Sequence, residues 1–269
     1  MAKDLLDSLR VEPGSSAHLA ERDPGARLGA DSKPEGVERL AELVTRLGVL
    51  HNRLYAEAKQ SVLLVLQGMD AAGKDGVTRS VLTGVNPQGC RVESFKVPTP
   101  FELAHDFLWR VHAKCPADGE IAIFNRSHYE DVVVVRVHEL VEEKVWRARY
   151  AQIVAFEDLL TSSGTEVVKV FLHESKDEQR ERLQQRLDNP EKRWKFRAGD
   201  LDDRARWDDF QQAYEDAITE TSTKHAPWYV VPADHNWSRN LCVAEILVAA
   251  LERMNPQLPR PVIEQTTIT

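Results

Sequence analysis

Two patterns of apolar residues alternate along the chain and predict its secondary structure. Short, mostly apolar runs at residues 62–66, 120–124, 166–172 and 228–231 are typical of strands buried on both faces of a parallel sheet. A more polar run at residues 91–95 predicts a further strand. Between these runs, apolar residues recur at steps of three and four, as on one face of an amphipathic helix. This spacing predicts helices over residues 36–60, 75–83, 100–114, 129–140, 145–161, 176–187, 207–221 and 237–254.

Strands that alternate with helices predict an α/β fold, a parallel sheet with helices on both faces. Residues 1–35 are rich in Gly, Pro, Ser and charge, so we expect an irregular N-terminal arm there. The globular domain should then span residues 36–255, and residues 256–269 should form a loose tail. Four consecutive valines, 132–135, make the helix predicted at residues 129–140 ambiguous.

Composition narrows the class of protein. With 269 residues, 42% of them hydrophobic, the chain can form one large α/β domain. Its apolar runs are far shorter than the roughly 20 residues that a membrane helix needs, and its first residues do not resemble a signal peptide. Three widely spaced cysteines without CxxC spacing fit free thiols in a reducing compartment. We therefore expect a cytoplasmic protein that does not bind membranes.

The net charge is −8, which argues against binding of duplex nucleic acid. A small polyanionic substrate is still possible, because local clusters of cations matter more than the sum.

The first candidate site is a phosphate-binding loop, GMDAAGKDG, between a predicted strand and a predicted helix. We expect its backbone to cradle phosphate. The residues that would do so are Gly68, Ala71, Ala72, Gly73, Asp75 and Gly76. Lys74 can follow a phosphoryl group during transfer. Asp75 stands where a hydroxyl usually holds Mg²⁺, and we expect it to be a first-turn residue favoured by the helix dipole. A carboxylate inside an anion-binding loop repels phosphate unless a cation intervenes, so Asp70 is the candidate metal ligand. A base toward the attacking phosphate is the alternative for Asp70, and a chance glycine turn at a strand end is the alternative for the loop.

A second polar cluster follows the strand at 120–124. In a doubly wound sheet this strand ends beside the phosphate loop. Asn125 takes the position of a second metal-binding acid, Arg126 can clamp a phosphate, and Glu130 and Asp131 follow closely. An ordinary surface cluster of arginine and acids is the alternative.

Two further groups of cations could contact phosphates. Arg182 and Arg186 share a helix face and lead into the basic segment that contains Lys192 and Lys195, a pattern that suits a mobile lid over residues 182–206. A solvated charged face is the alternative. Lys96 and Arg110 could line a substrate channel, or have ordinary surface roles.

Together, GMDAAGKDG, SFKVPTPFELAHDFLWR, FNRSHYEDV and RLDNPEKRWKF resemble the polyphosphate kinase 2 family from about residue 35 to residue 255. The resemblance implies a P-loop kinase fold, similar to thymidylate kinase, with a helical lid. It implies transfer of the terminal phosphoryl group of inorganic polyphosphate to nucleotides, with Mg²⁺ or Mn²⁺. It also implies that Asp70 binds metal, that Lys74 is the loop lysine, that Arg126 follows the second metal position, and that Arg182 and Arg186 hold phosphates.

The chain departs from the commoner family pattern at two positions, Asn125 and Glu130, where many members have Asp and Asn. In this it resembles the class III subgroup, which phosphorylates both nucleoside mono- and diphosphates. We therefore expect reversible formation of ADP and ATP, with Asp70 and Glu130 as metal ligands. The arms and the long first helix also suggest a homo-oligomer.

Three other functions are compatible with the sequence. A polyphosphate kinase specific for ADP is one, and an ATP-dependent nucleoside monophosphate kinase of the same fold is another. The third is a phosphate-binding module without turnover. Asp75 and the cationic lid speak against the second, and the intact Lys74, Asp70 and Arg126 speak against the third.

Overall fold

The computed structural model describes residues 2–260, which contain a mixed six-stranded sheet with helices on both faces. Its strands are β1 (Arg10–Val11), β2 (Ser61–Gln67), β3 (Cys90–Glu93), β4 (Ile121–Asn125), β5 (Thr165–His173) and β6 (Trp228–Pro232). Its helices are α1 (Ala2–Leu9), α2 (Lys33–Glu57), α3 (Lys74–Val81), α4 (Pro100–Leu103), α5 (Trp109–His112), α6 (Val134–Val137), α7 (Glu143–Ser162), α8 (Lys176–Asp188), α9 (Ala198–Ala205), α10 (Trp207–Thr221) and α11 (Asn236–Met254). The predicted α/β P-loop kinase fold is confirmed.

Strand order explains where a ligand can bind. The order is β1-β6-β5-β2-β4-β3, and all neighbours are parallel except β1 and β6. The central strand β2 pairs with β4 on one side and with β5 on the other, so that Leu64 lies opposite both Ile123 and Val168. The chain therefore leaves β2 toward one side of the sheet and later returns to the other, and ligands bind in the crevice at such a switch point.

The two faces of the sheet carry separate apolar layers, because successive residues of a strand point to opposite faces. In β2, Leu63 and Val65 pack in the layer that contains residues of α7 and α10, whereas Leu64 and Leu66 pack in the layer that contains α2 and α11. Both faces of β2 are buried, as the continuous apolar run predicts. The phosphate loop thus follows a strand that is buried on both faces and paired on both sides.

The prediction of an irregular N-terminal arm is wrong for its first part. Residues 2–9 form α1, and β1 extends the sheet by pairing antiparallel with β6, Arg10 opposite Tyr229. Leu9 and Val11 are each 1% exposed, so this segment belongs to the core. A strand of two residues is too short to produce a recognisable pattern.

Two predicted helices are interrupted. The helix expected at 100–114 is split into α4 and α5, and the side chain of Asp106 accepts a hydrogen bond from the N–H of Leu108 in the turn between them. The helix expected at 129–140 is a 3₁₀ turn, His128–Asp131, followed by the short α6. Its β-branched valines explain the weak helix, since they lose rotamer freedom there.

Residues 256–260 have no regular structure, and the rest of the predicted tail lies outside the described residues. None of the helices within residues 2–260 has the length and apolar character needed to cross a membrane.

Candidate active site

The phosphate loop connects the carboxyl end of β2 to the first turn of α3. Gly68 and Gly73 have φ angles of 148° and 97°, which residues with a Cβ rarely adopt. Ala71, with φ of 79°, adopts a left-handed conformation despite its Cβ. The first N–H groups of α3 have no intrahelical acceptor, so they are available to an anion at this end of the helix.

Three successive carbonyl groups of the loop are held by side chains from outside it. Gln179 Nε2 donates to the carbonyl of Asp70 at 3.0 Å, Arg182 Nη1 to that of Ala71 at 3.3 Å, and Arg239 Nη1 to that of Ala72 at 3.1 Å. These side chains come from α8 and α11. They fix the loop backbone, and they satisfy carbonyl oxygens that would otherwise repel phosphate.

Arg239 also explains two glycines of the loop. A Cβ built on Gly73 would lie 2.0 Å from Arg239 Nη1, and one on Gly76 would lie 3.0 Å from Nη2. Burial, together with the nearby charge of Arg182, lowers the pKa of Arg239 to about 10. The guanidinium therefore packs directly against the loop in a space that only glycine leaves free.

Lys74 folds back across the loop. Its Nζ donates to the carbonyl of Gly68 at 2.6 Å and to that of Met69 at 3.2 Å, and the residue is 8% exposed. Burial lowers the pKa of Lys74, and the charge of Asp70 opposes this effect. The ammonium is thus held at the loop itself, where a phosphoryl group would be cradled.

Arg126 joins the two predicted metal-binding acids. Its Nη2 lies 2.5 Å from Asp70 Oδ1, and its Nη1 lies 3.5 Å from Glu130 Oε2. Burial alone would raise the pKa of Asp70, but the charges of Arg126 and Lys74 outweigh it and lower that pKa. For Glu130 burial prevails and raises the pKa, against the same two cations. The structure therefore brings Asp70, Lys74, Arg126 and Glu130 together in one cluster.

A buried polar contact supports this cluster from below. Gln67, the last residue of β2, donates from Nε2 to Ser127 Oγ at 3.0 Å and accepts from the Tyr214 hydroxyl at 3.2 Å. Tyr214 also contacts the carbonyl of Gly68 at 3.4 Å. The end of β2, the turn after β4 and helix α10 are thereby linked under the loop.

Asp75 is the point where the segment predicted to form a lid contacts the loop. Asn125 Nδ2 donates to Asp75 Oδ1 at 2.7 Å, and Lys195 Nζ donates to Oδ2 at 3.0 Å. Lys195 lies in the 3₁₀ turn Arg193–Lys195 between α8 and α9. Asp75 therefore contacts both Asn125, at the end of β4, and Lys195, in the segment predicted to form a lid.

Arg182 differs from its predicted role as a phosphate ligand. All three of its guanidinium nitrogens donate to protein acceptors, among them Glu178, Glu174 and the carbonyl of Ala233, and its side chain is 11% exposed. This geometry leaves the guanidinium no free edge for phosphate and assigns it to holding the loop.

The contacts of Arg110 also differ from those expected of a residue that lines a substrate channel. It donates to the carbonyl of Lys96 at 2.8 Å, lies 3.9 Å from Asp131, and packs over the ring of Phe95, with 9% of its side chain exposed. Lys96 and Lys192 are exposed, and their contact with substrate stays a prediction. Arg186 pairs with Asp200 at 3.6 Å, and its charge helps to lower the pKa of Asp70.

Sequence reasoning missed several residues that support the site, namely Gln67, Gln179, Tyr214 and Arg239. One signal was available, since Gln67 is a polar residue that ends an otherwise apolar strand. The others lie far from the loop in sequence, and only the fold brings them to it.

The acids of the cluster suit Mg²⁺, which can take most of its ligands from water and substrate. They are too few for a metal ion whose ligands all come from the protein. Among residues 2–260 there is no group of three or more His, Cys, Asp or Glu side chains that could hold a metal ion. Mg²⁺ usually binds one or two carboxylates and completes its shell with water and substrate phosphates, so Asp70 and Glu130 are sufficient. Arg126 pairs with both acids, so a metal here would compete with its guanidinium.

Comparison with known proteins assigns the family. Residues 30–259 match the family model described as polyphosphate kinase 2. An AMP/ADP-polyphosphate phosphotransferase of Meiothermus ruber is 57% identical over 253 residues, which cover 94% of this chain and 95% of that protein. An ADP-polyphosphate phosphotransferase of Rhodopseudomonas palustris is 47% identical, over 93% and 91% of the two chains. The crystal structure of polyphosphate kinase 2 from Arthrobacter aurescens superposes with a TM-score of 0.93 at 42% identity, covering 97% of this chain and 93% of the other. The chain therefore belongs to the polyphosphate kinase 2 family.

Proposed function

We propose that this protein transfers the terminal phosphoryl group of inorganic polyphosphate to AMP and to ADP, reversibly and in the cytoplasm. The contact between Lys195 and Asp75 carries the proposal. At the position where a P-loop kinase usually presents a hydroxyl to Mg²⁺, this chain presents a carboxylate that holds a lid cation over the loop. Such a lid adds positive charge along the donor path, which suits a chain of phosphates.

Acceptance of both nucleotides rests on two observations. The relative from Meiothermus ruber, 57% identical, is named for both AMP and ADP, whereas the one from Rhodopseudomonas palustris, 47% identical, is named for ADP alone. Position 125, the last residue of β4, is an asparagine, and the carboxylate is supplied by Glu130 on the turn that follows the strand. We infer that this shift lets the site serve acceptors of two lengths.

Catalysis in this proposal is positioning and charge neutralisation, because the attacking phosphate is already ionised at neutral pH. The loop N–H groups and Lys74 hold the transferred phosphoryl group. Arg126 stabilises the charge that develops on it, and Arg186 and Lys195 hold the donor chain. Mg²⁺, for which Mn²⁺ can substitute, would be held by Asp70 and Glu130 and would neutralise phosphate oxygens.

The first experiment is nucleotide chromatography after incubation with Mg²⁺, polyphosphate and AMP, without ATP. ADP followed by ATP is the expected result. ADP alone would remove the claim for two acceptors, and ATP formed from ADP with no reaction of AMP would indicate an ADP-specific enzyme. Activity that requires ATP as donor would instead favour a nucleoside monophosphate kinase.

The metal assignment has its own test. Asp70→Asn should abolish turnover and weaken Mn²⁺ binding measured by electron paramagnetic resonance, whereas Asp118→Asn, at an exposed position before β4, should change neither. An Asp70→Asn protein with full Mg²⁺-dependent activity would contradict the assignment.

We also propose that the protein forms a homo-oligomer through α2, which exposes Val37, Val49 and Tyr55 by 51%, 44% and 41%. Size-exclusion chromatography with light scattering tests this. A monomer at every concentration would refute it.

A further inference from the structure

A cavity of ≈ 550 Å³ lies at the base of the lid, outside the catalytic cluster. Its wall includes Glu174 and Lys176, where the chain enters the lid, and Trp207 and Asp208, where the chain leaves it. Residues 18–22 and Pro24 of the N-terminal segment form the remaining side. We call this the hinge cavity. Its volume is in the range of cavities that hold small organic ligands.

Three residues that line the hinge cavity carry buried polar atoms without hydrogen-bond partners. Glu174 Oε2, His173 Nδ1 and Gln211 Nε2 are buried and unpartnered within the described part of the chain. Glu174 and His173 are 2% and 7% exposed. Buried polar groups normally have a partner, so unpartnered ones that line the same cavity indicate a ligand that supplies it.

The two most buried of these atoms are hydrogen-bond acceptors. His173 Nε2 lies 3.2 Å from the carbonyl of Arg22, and burial lowers the pKa of this imidazole although backbone hydrogen bonds to Arg22 and Leu19 oppose the shift. In the neutral tautomer that donates from Nε2 to Arg22, Nδ1 carries a lone pair. Glu174 Oε1 already accepts from Arg182 at 2.6 Å, which leaves Oε2 for another donor. The missing partner of both atoms is therefore a donor.

Charge favours a cationic donor. Four carboxylates line the cavity against two cations, and those carboxylates belong to Glu21, Glu174, Asp208 and Glu215. Arg22, one of the two cations, donates to the carbonyls of Ala17 and Ser8. Glu174 is paired with Arg182, and Glu215 accepts from the N–H groups of His18 and Leu19, so Glu21 and Asp208 contribute most of the surplus. This surplus of negative charge would repel nucleotides and polyphosphate, so the hinge cavity is not an extension of the substrate path.

We propose that the hinge cavity binds a small organic cation whose protonated primary amine donates to Glu174 Oε2 and His173 Nδ1. Gln211 Nε2, the unpartnered donor of the wall, is then left to water or to an acceptor of the same ligand. Because the wall contains both ends of the lid, the occupant would contact the segments between which the lid moves. The site is separate from the proposed transfer reaction, and its test needs neither nucleotide nor polyphosphate.

The test is isothermal titration calorimetry with 1,4-diaminobutane, at pH 8 in a buffer without primary amines. The neutral 1,4-butanediol, with the same carbon chain, is the ligand control. We expect saturable binding of one diamine per chain and none of the diol. Absence of saturable binding up to about 10 mM diamine, or equal binding of the diol, would overturn the proposal.

Variants separate this site from general attraction to an acidic surface. Glu174→Gln keeps an oxygen for Arg182 but replaces the unpartnered one with a donor, and should weaken diamine binding at least tenfold. Asp208→Asn, at the exposed rim, should weaken it about two- to fivefold. Asp209→Asn, the neighbouring exposed acid outside the wall, should bind as the unaltered protein does. If Glu174→Gln fails to fold, the diamine affinities of Asp208→Asn and Asp209→Asn still test the proposal. Equal affinity of those two variants would refute the site.

Discussion

At the scale of single residues, the charges of the proposed catalytic cluster, Asp70, Lys74, Arg126 and Glu130, balance each other before substrate arrives. Asp70 and Glu130 pair with Arg126, and Lys74 lies beside them on the loop carbonyls. A polyphosphate chain adds several negative charges to this neutral set. Additional cations are needed to bind it, and the proposed metal and the lid, with Lys195 docked on Asp75, supply them.

The fit between Gly73 and Arg239 gives the first prediction. Gly73→Ala adds a Cβ 2.0 Å from the guanidinium at a residue with φ of 97°, so both the backbone and Arg239 must shift. We expect a loss of about 1–3 kcal/mol in the free energy of unfolding, measured with urea, and at least a hundredfold loss of kcat. Gly199→Ala, where a Cβ meets nothing within 4 Å, is the control and should leave both values nearly unchanged. An active, stable Gly73→Ala protein would show that Arg239 does not constrain the loop.

Glu174 gives a prediction about pH. Burial raises its pKa from 4.5 to about 7, although Arg182 opposes the shift. A carboxyl with a raised pKa in the folded state contributes stability below pH 4.5 that is lost as pH rises through about 7. Glu174→Gln removes this loss. The difference in free energy of unfolding between this variant and the unaltered protein should therefore shift by about 2 kcal/mol in favour of the variant from pH 5 to pH 8.

Urea unfolding at the two pH values measures this gain. Glu181→Gln, on the exposed side of α8, is the control and should give the same difference from the unaltered protein at both. A Glu174→Gln protein whose relative stability does not change with pH would mean that the carboxylate of Glu174 is fully compensated by Arg182.

At the scale of secondary-structure elements, sequence predicted what depends on local pattern. The buried strands β2 and β5 and the loop between β2 and α3 follow from apolar runs and from glycine and lysine positions. Strand β1 was not predicted, because two residues are too few to show an alternation of apolar and polar positions. The side chains that hold the loop carbonyls, Gln179 and Arg239, were missed for another reason, since they lie more than a hundred residues away in sequence. Their role depends on tertiary contacts alone.

Strand β5 also contains a charged residue that an apolar pattern does not explain. Lys169 and Glu157 of α7 are fully buried, with Nζ 2.5 Å from Oε2, and Lys169 donates further to the carbonyl of Thr221 and the Tyr129 hydroxyl. This ion pair joins β5, α7 and the end of α10 behind the sheet. Such pairs stabilise little in net terms, but removal of one partner leaves the other charge buried and unpaired.

Lys169→Met should therefore cost about 3–5 kcal/mol in the free energy of unfolding, whereas the double variant Lys169→Met/Glu157→Gln should recover at least half of that loss. The amide that replaces the Glu157 carboxylate keeps an oxygen for the Tyr129 hydroxyl and carries no charge. Urea unfolding of the single and double variants measures the coupling between the two sites. Additive losses would mean that the two residues do not stabilise each other.

At the scale of the whole molecule, the N-terminal segment joins parts that are distant along the chain. Residues 2–11 cover the edge of β6, Ala17 donates from its N–H to Thr219 of α10, and Glu215 accepts from the N–H groups of His18 and Leu19. The same segment forms one side of the hinge cavity. It therefore links the last strand of the sheet to the helix that follows the lid.

Deletion of residues 1–11 should consequently expose the edge of β6 and the apolar surface that Leu9 and Val11 now cover. An exposed strand edge presents unpaired N–H and C=O groups that can pair with another chain. We expect a lower melting temperature and, in light scattering, association that increases with concentration beyond that of the full chain.

Leu9→Ala, at a residue 1% exposed, should lose about 2–5 kcal/mol in the free energy of unfolding without this association, because it leaves β1 in place. Leu103→Ala, at a residue 69% exposed, is the control for loss of a leucine side chain. If the truncated chain melts and scatters as the full chain does, β1 is not needed to close the sheet, and the N-terminal segment contributes only through its contacts with α10.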